Sequence, residues 1–348
     1  MWPRIHFHGP PRYRLRAGIS LSQSLLEASL HRSLNGPRQP GWNWFIELGT
    51  QVLKRQLAIA FKMRDVNEAR RYLDSVVFDS VASVVTITPV SHERFRGAWF
   101  VPASADTGVI LLYLHGGGYS FYPRAYAPFI KLISLAAKSK TFALDYRLSP
   151  EHPFPAQLED ALSAYRWLLE SGTDPDNLVI GGDSAGGNLT LALLLAASDA
   201  NLPLPALAFA FSPPTGFDRP PMALAGNQGA DWIDAKMFEQ WANWFCSPSE
   251  RTNPLVSPVL ADLRGLPPIY IQAGGGEILY PSIQEFADRA TAQKADVVLE
   301  SWEHMNHDFQ VFGVYTPQSA EALRRLAEVI NSRIRGCRNP QPVSIADS

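Results

Sequence analysis

The sequence predicts an α/β protein built on a mainly parallel central sheet flanked by helices, with a helical cap set over it. Three observations carry that expectation. Short apolar, β-rich runs alternate with helical patterns through most of the chain, which is the texture of a sheet covered on both faces. Several of these runs end in glycine-rich turns, and sites in open α/β sheets assemble at the carboxyl ends of strands. Two aromatic-rich segments, 1–75 and 215–250, stand outside the alternation and hold six of the nine tryptophans. Aromatics gathered away from the strands fit an apolar lid over a pocket, so the two segments are expected to pack together above a site.

Within residues 1–75, "GWNWFIELGTQVLKRQLAIAF" (41–61) places Trp42, Trp44, Phe45, Leu48, Val52 and Ile59 at helical spacing. Strand-like texture begins at Val76, and "SVVTITPV" (83–90) and "FRGAWFVPA" (95–103) read as antiparallel strands around a turn. The alternation follows: strand 109–115, helix 127–137, strand 141–148, helix 158–170, strand 178–182, and a helix that begins just after Ser184. "ALAFAFSP", "PIYIQAGG" and "DVVLESW" are three further strands. In the last helix Thr316 can cap, Pro317 suits the first turn and Gly336 can end it. The expected division is a helical cap segment at 1–75, a main domain at 76–336 that contains a cap insertion at 215–250, and a disordered tail at 337–348.

Of 348 residues, 46% are hydrophobic and 18% charged, which gives room for a substantial core. A formal net charge of -2 provides no electrostatic attraction for nucleic acid. Cys246 and Cys337 lack metal-ligand spacing and are expected to be free thiols. His6 and His8 lie on a polar terminus and are read as solvated, so no metal or other cofactor is expected. The arginine-bearing start has no apolar stretch suited to a secretory signal. The longest apolar run, 189–197, is about half of a membrane span. A cytoplasmic protein without a transmembrane segment is the expectation, and the sequence leaves its oligomeric state open.

The chemistry concentrates in three places. Gly182-Asp183-Ser184-Ala185-Gly186 fits G-x-S-x-G between a strand and a helix, the context in which a serine presents its hydroxyl from a sharp turn. "LHGGGYS" (114–120) follows an apolar strand with three bare glycines, whose N–H groups can approach a ligand closely. A phosphate loop would need a following Gly-Lys-Ser/Thr, which is absent. Downstream, Glu277 follows one strand, and His304 and His307 follow the next. A serine nucleophile needs a base, and the base needs an orienting carboxylate. The order Ser184, Glu277, His307 supplies all three. Taken singly, Glu277 reads as a surface carboxylate and His307 as a loop residue; with the elbow and the glycine loop, chance is a poor explanation. Asp308 and Glu303 are set aside as the acid, because each lies so near His307 in the chain that aiming it at the imidazole would strain the loop.

"HGGGY" (115–119), "DYRLSPEHPFPAQLED" (145–160) and "GDSAGGNL" (182–189) together make the chain resemble the hormone-sensitive lipase family of α/β-hydrolases from about Val76 to Gly336. The resemblance implies the α/β-hydrolase fold, oxyanion donors at Gly117, Gly118 and Ala185, and a bracing role for the 145–160 string. His307-Asp308-Phe309 matches the family's His-x-Phe and favours His307 over His304. The family usually has Asp where this chain has Glu277, one methylene longer, so the loop must retreat slightly. The implied activity is hydrolysis of the carboxylic ester of a small hydrophobic molecule through an acyl-enzyme. Acyl transfer or cyclisation on the same scaffold is the alternative, as is a non-catalytic receptor; plant gibberellin receptors resemble the same family but lack the histidine that is kept here as His307.

Overall fold

The alternation of apolar runs is laid out in space as one eight-stranded sheet. A computed structural model describes residues 4–79, 84–105, 108–122, 124–218 and 230–336. The expected tail at 337–348, Cys337 and part of the 215–250 insertion lie outside the described residues. The chain opens with β1 (Arg4–Phe7), α1 (Pro11–Asn35), α2 (Trp44–Ala60), α3 (Val66–Leu73) and β2 (Val76–Asp79). β1 and β2 form an antiparallel pair of their own, so the strand that starts at Val76 belongs with the N-terminal helices and not with the large sheet. Asn43 and Asp65 cap α2 and α3, accepting from Ile46 N at 3.0 Å and Glu68 N at 2.8 Å. Each such cap contributes on the order of 1 kcal/mol.

The sheet is built from β3 (Val85–Ser91), β4 (Arg96–Pro102), β5 (Ile110–Leu114), β6 (Lys140–Asp145), β7 (Leu178–Asp183), β8 (Leu207–Phe211), β9 (Ile269–Gly274) and β10 (Val297–Trp302). Their order is β10-β9-β8-β7-β5-β6-β4-β3, parallel except where β4 meets β3 and β6. The connecting helices are α4 (Tyr126–Ala137), α5 (Ala156–Glu170), α6 (Ala185–Asp199), α7 (Ala235–Phe245), α8 (Tyr280–Ala292) and α9 (Pro317–Gly336). Side chains alternate across β5: Leu112 and Leu114 join the core under α5, α6 and α8, and Leu111 and Tyr113 join the core under α4 and α9. That two-sided burial is why these strands read as unbroken apolar runs.

The two segments outside the alternation meet. Phe61, just past α2, stacks on Trp244 of α7 with ring centroids 5.9 Å apart and lies edge-on to Trp241 at 5.1 Å. The 25-residue helix α1 has no counterpart in the sequence reading. Its buried side is a stripe of small residues with one tyrosine, Tyr13, Ala17, Ser20, Ser24 and Ala28, and its large apolar side chains point away from the core. Among the described residues, no helix is long and apolar enough to cross a membrane.

Candidate active site

Ser184 sits in the turn between β7 and α6 with φ 50° and ψ -120°, a backbone state that L-residues rarely hold. The sharpness of the turn explains its glycines. A Cβ on Gly186 would overlap the Leu114 carbonyl oxygen, because the first turn of α6 presses against the end of β5. The strain therefore lifts the Ser184 hydroxyl above the sheet, into a cavity.

His307 lies in the loop after β10 and Glu277 in the loop after β9. Ser184 Oγ is 2.9 Å from His307 Nε2, and His307 Nδ1 is 3.2 Å from Glu277 Oε2. All three expected residues are thus brought into one relay. Nδ1–H donates to the Glu277 carboxylate, which leaves the Nε2 lone pair to accept from the serine hydroxyl. His307 and Glu277 are both about 1% exposed, so each lacks the water that would stabilise its charge. Burial lowers His307, with the Asp231 and Asp183 carboxylates opposing the shift. Burial raises Glu277, with the Ser212 hydroxyl and the Gly274 backbone opposing it. The extra methylene of Glu277 does not break the contact with the ring.

Asp308 corrects one expectation. Its carboxylate does reach the imidazole, with Oδ2 3.3 Å from Nε2, because Asp308 adopts φ 46° and turns its side chain back on its neighbour. It meets the nitrogen that faces Ser184, not the one that faces the acid. Burial and the carboxylates of Asp183, Glu277 and Asp231 hold Asp308 well above the usual carboxyl range. Glu303 stays on the surface beside His304, 3.3 Å from its Nε2.

The glycine loop after β5 reaches the same place. Gly117 and Gly118 have φ of 100° and 60° and line the cavity beside Ser184. A Cβ on Gly117 would overlap the Phe121 carbonyl oxygen. Among the described residues nothing accepts from the N–H groups of Gly117, Gly118 or Ala185, the first residue of α6. His115 plays a structural part: its ring lies between Tyr122 and Tyr146, with centroid separations of 3.7 and 4.1 Å, and burial pushes it down to about 3. The 145–160 string braces this wall. Tyr146 donates to the His115 carbonyl at 2.6 Å, and Arg147 Nε donates to both oxygens of Asp160 at 2.9 and 3.0 Å.

Two buried aspartates at the site have no sequence forecast. Asp183, the second residue of the elbow motif, accepts from Tyr113, from Tyr126 at 3.1 Å and from Gly116 N at 3.0 Å, which ties the elbow to the glycine loop. Asp231, in the insertion before α7, accepts from Ile278 N at 3.0 Å and His307 N at 3.2 Å. One carboxylate therefore holds the loops of Glu277 and His307 together, and burial raises it to about 6. The position of Asp183 inside the motif was a usable signal. Asp231 gave none, because its partners are backbone amides far along the chain.

The cavity above Ser184 has a volume of about 330 Å³ and extends past Trp241, Val52 and Leu57 to Ile5 and Leu21. Its walls come from α1, α2, the insertion and the sheet loops.

Residues 111–311 match the family model for the alpha/beta hydrolase fold. The chain is 36% identical over 239 residues to an acetyl-hydrolase of Streptomyces hygroscopicus, covering 68% of this chain and 78% of that one. The solved structure of an esterase from the bacterial hormone-sensitive lipase family superposes with a TM-score of 0.78 at 30% identity, over 84% of this chain and 99% of that one. The chain belongs to the hormone-sensitive lipase family of α/β-hydrolases. This hydrolase is also similar to a carboxylesterase of Mycobacterium tuberculosis, 29% identical over 237 residues, 65% of this chain and 74% of that one. It is an ester hydrolase.

Proposed function

We propose that this hydrolase cleaves carboxylic esters of a hydrophobic small molecule through a serine acyl-enzyme, with Ser184, His307 and Glu277 as the triad. The observation that carries the reading is the hydrogen-bonded relay from Ser184 Oγ through His307 to Glu277 Oε2, set on the floor of an apolar cavity. Ser184 Oγ attacks the ester carbonyl as His307 Nε2 takes its proton, and Glu277 stabilises the imidazolium. The N–H groups of Gly117, Gly118 and Ala185 receive the oxyanion; one such donor is worth about 10²–10³ in turnover. The alcohol leaves with the proton from His307, which then activates water to release the acid. The segments 1–75 and 215–250 act as the cap in this reading, because both supply walls of the cavity.

The test combines labelling with a substrate series. A serine-directed organophosphate should modify the protein once, at Ser184, and Ser184→Ala should lower kcat by on the order of 10⁶-fold without changing the fold. Across p-nitrophenyl esters of rising chain length, kcat/KM should rise beyond acetate before it falls. Robust turnover by Ser184→Ala would remove the serine mechanism, and a preference for charged or very small esters would remove the hydrophobic substrate. Product analysis with an added acceptor alcohol separates hydrolysis from acyl transfer.

A further inference from the structure

Helix α1 carries apolar side chains on the face it turns away from the protein. Leu15, Ile19, Leu26 and Leu30, spaced by 4, 7 and 4 residues, share one side of the helix and are 67%, 51%, 61% and 53% exposed. That side lies across the helix from the buried stripe of Tyr13, Ala17, Ser20, Ser24 and Ala28. Phe7 of β1, also exposed, extends the patch beside Gly18. Of the twelve large apolar side chains exposed among the described residues, eight fall between Ile5 and Leu34. Such clustering separates a docking surface from the scattered leucines of an ordinary exterior.

Charge identifies what the surface fits. Arg4, Arg12, Arg14 and Arg16 are exposed around the patch, and none has an acidic partner among the described residues. The one acid between residues 4 and 38, Glu27, is spent on Arg38 and Arg55. This concentration of positive charge stands out on a chain whose formal net charge is -2. A second copy bound about a twofold axis would bring an equally positive face against this one, with Glu27 already paired and no other acid between residues 4 and 38 to answer it. An anionic lipid surface instead pairs with the arginines and takes up the leucines, as it does for helices that lie in a membrane interface.

The patch is continuous with the cavity. Ile5 and Leu21, which line the cavity, belong to the same strand and helix that carry Phe7, Leu15 and Ile19. Ile5 both lines the cavity and is 42% exposed, so the cavity wall meets solvent beside the patch.

We propose that the outer face of α1, together with Phe7, docks this protein on an anionic lipid surface, with the cavity mouth turned toward the lipid from which an apolar ester enters. Only the delivery of the ester rests on the function proposed above; the docking does not.

Flotation of the full-length protein tests it, with vesicles of phosphatidylcholine alone and vesicles in which phosphatidylglycerol replaces part of it. The wild type should float with the anionic vesicles, and raised salt should weaken that binding. Leu15→Gln/Leu26→Gln/Leu30→Gln should lose at least about tenfold in partitioning. Arg12→Gln/Arg14→Gln/Arg16→Gln should lose about fivefold per arginine, on the order of 10²-fold in all. Both variants should hydrolyse a water-soluble acetate ester as the wild type does, since none of these side chains lines the cavity. Failure of the wild type to float with anionic vesicles overturns the proposal, as does undiminished flotation of the leucine variant. A dimer in sedimentation that the leucine variant dissociates would assign the face to a second copy and equally overturn it. Vesicle binding without any ester hydrolysis would overturn the functional reading and leave the docking intact.

Discussion

The elbow that carries Ser184 and the loop that carries His307 face each other across 2.9 Å, yet they differ in how much of their support comes from outside the sheet. The elbow is fixed by its immediate surroundings. Ser184 N donates to Phe211 O on the neighbouring strand at 2.8 Å, Asn188 N donates to Ser184 O at 3.0 Å, and the flanking glycines let β5 press against α6. The histidine loop is tied to the loops after β8 and β9, through Asp308 N to the Ser212 hydroxyl at 3.1 Å and Gly276 N to the Met305 carbonyl at 2.8 Å, and it is also held from outside the sheet. Trp42 donates to the His304 carbonyl at 2.8 Å, Asn306 donates to the Thr50 hydroxyl at 2.6 Å, and Trp232 donates to the His307 carbonyl at 2.6 Å. Asp231 holds the His307 amide. The sheet alone places the proposed nucleophile, whereas the N-terminal helices and the insertion help the sheet loops to place the proposed base. Those same two segments wall the cavity, so the parts that shape the proposed substrate site also contribute to the position of His307 relative to Ser184.

The largest effect expected on the histidine side comes from its acid. Glu277→Gln keeps the shape of the side chain but removes the charge that stabilises the imidazolium, so kcat should fall by on the order of 10⁴-fold with KM little changed. Asp308→Asn serves as its counterpart. Asp308 approaches Nε2, where it can share the proton received from Ser184 but cannot orient Nδ1–H, so its variant should stay close to wild type. Steady-state kinetics on one acetate ester compares them. The reverse pattern would make Asp308 the acid.

Asp231 tests whether the base is set from outside the sheet. Its carboxylate accepts from amides on both loops, and the amide of Asn cannot reproduce both bonds without turning an N–H toward a donor. Asp231→Asn should therefore let the histidine drift and lower kcat by on the order of 10²-fold, the effect of misplacing a catalytic group by about 1 Å. A purely structural residue would lower the melting temperature and leave kcat per folded molecule alone. Unchanged kcat with a reduced melting temperature would deny Asp231 its positioning role.

This contrast also explains what was legible in the sequence. The parallel sheet, the elbow, the glycine loop and the helix after Thr316 were readable because their causes are local: apolar runs of strand length, glycines where backbones touch, a capping threonine before a proline. Glu277 and His307 could be ranked from strand ends and chain order. Helix α1 was missed because Leu21, Leu25 and Leu34 spread its apolar residues beyond one face and small residues line its buried side, which blunts the helical periodicity. The reach of Asp308 was missed because a left-handed backbone at one residue leaves no compositional trace. Asp231 and Thr50 were illegible for a further reason. They meet the histidine loop from 76 and 256 residues away, through single hydrogen bonds that carry no periodicity.

The smallest effect sharpens the comparison most, because the same substitution can be made on each side. Thr50→Val and Thr190→Val each replace a fully buried hydroxyl with a methyl of similar size. Thr190 lies in α6 and donates to the Gly186 carbonyl one turn back at 2.9 Å, a bond internal to the helix. Its loss leaves a carbonyl that still accepts from the helix backbone, so both stability and kcat should hardly move. Thr50 accepts from the Asn306 amide next to His307, and its loss leaves a buried N–H unpaired at a cost of about 1–3 kcal/mol. Thr50→Val should lower the melting temperature by several degrees. It should also lower kcat, by less than the Asp231 variant does, because Asp231 and Trp232 still hold the loop. The readout is the ratio of the two kcat values, measured on one acetate ester below either melting transition. A Thr190 variant that loses more activity than the Thr50 variant would make the elbow the dependent element and reverse the assignment of support.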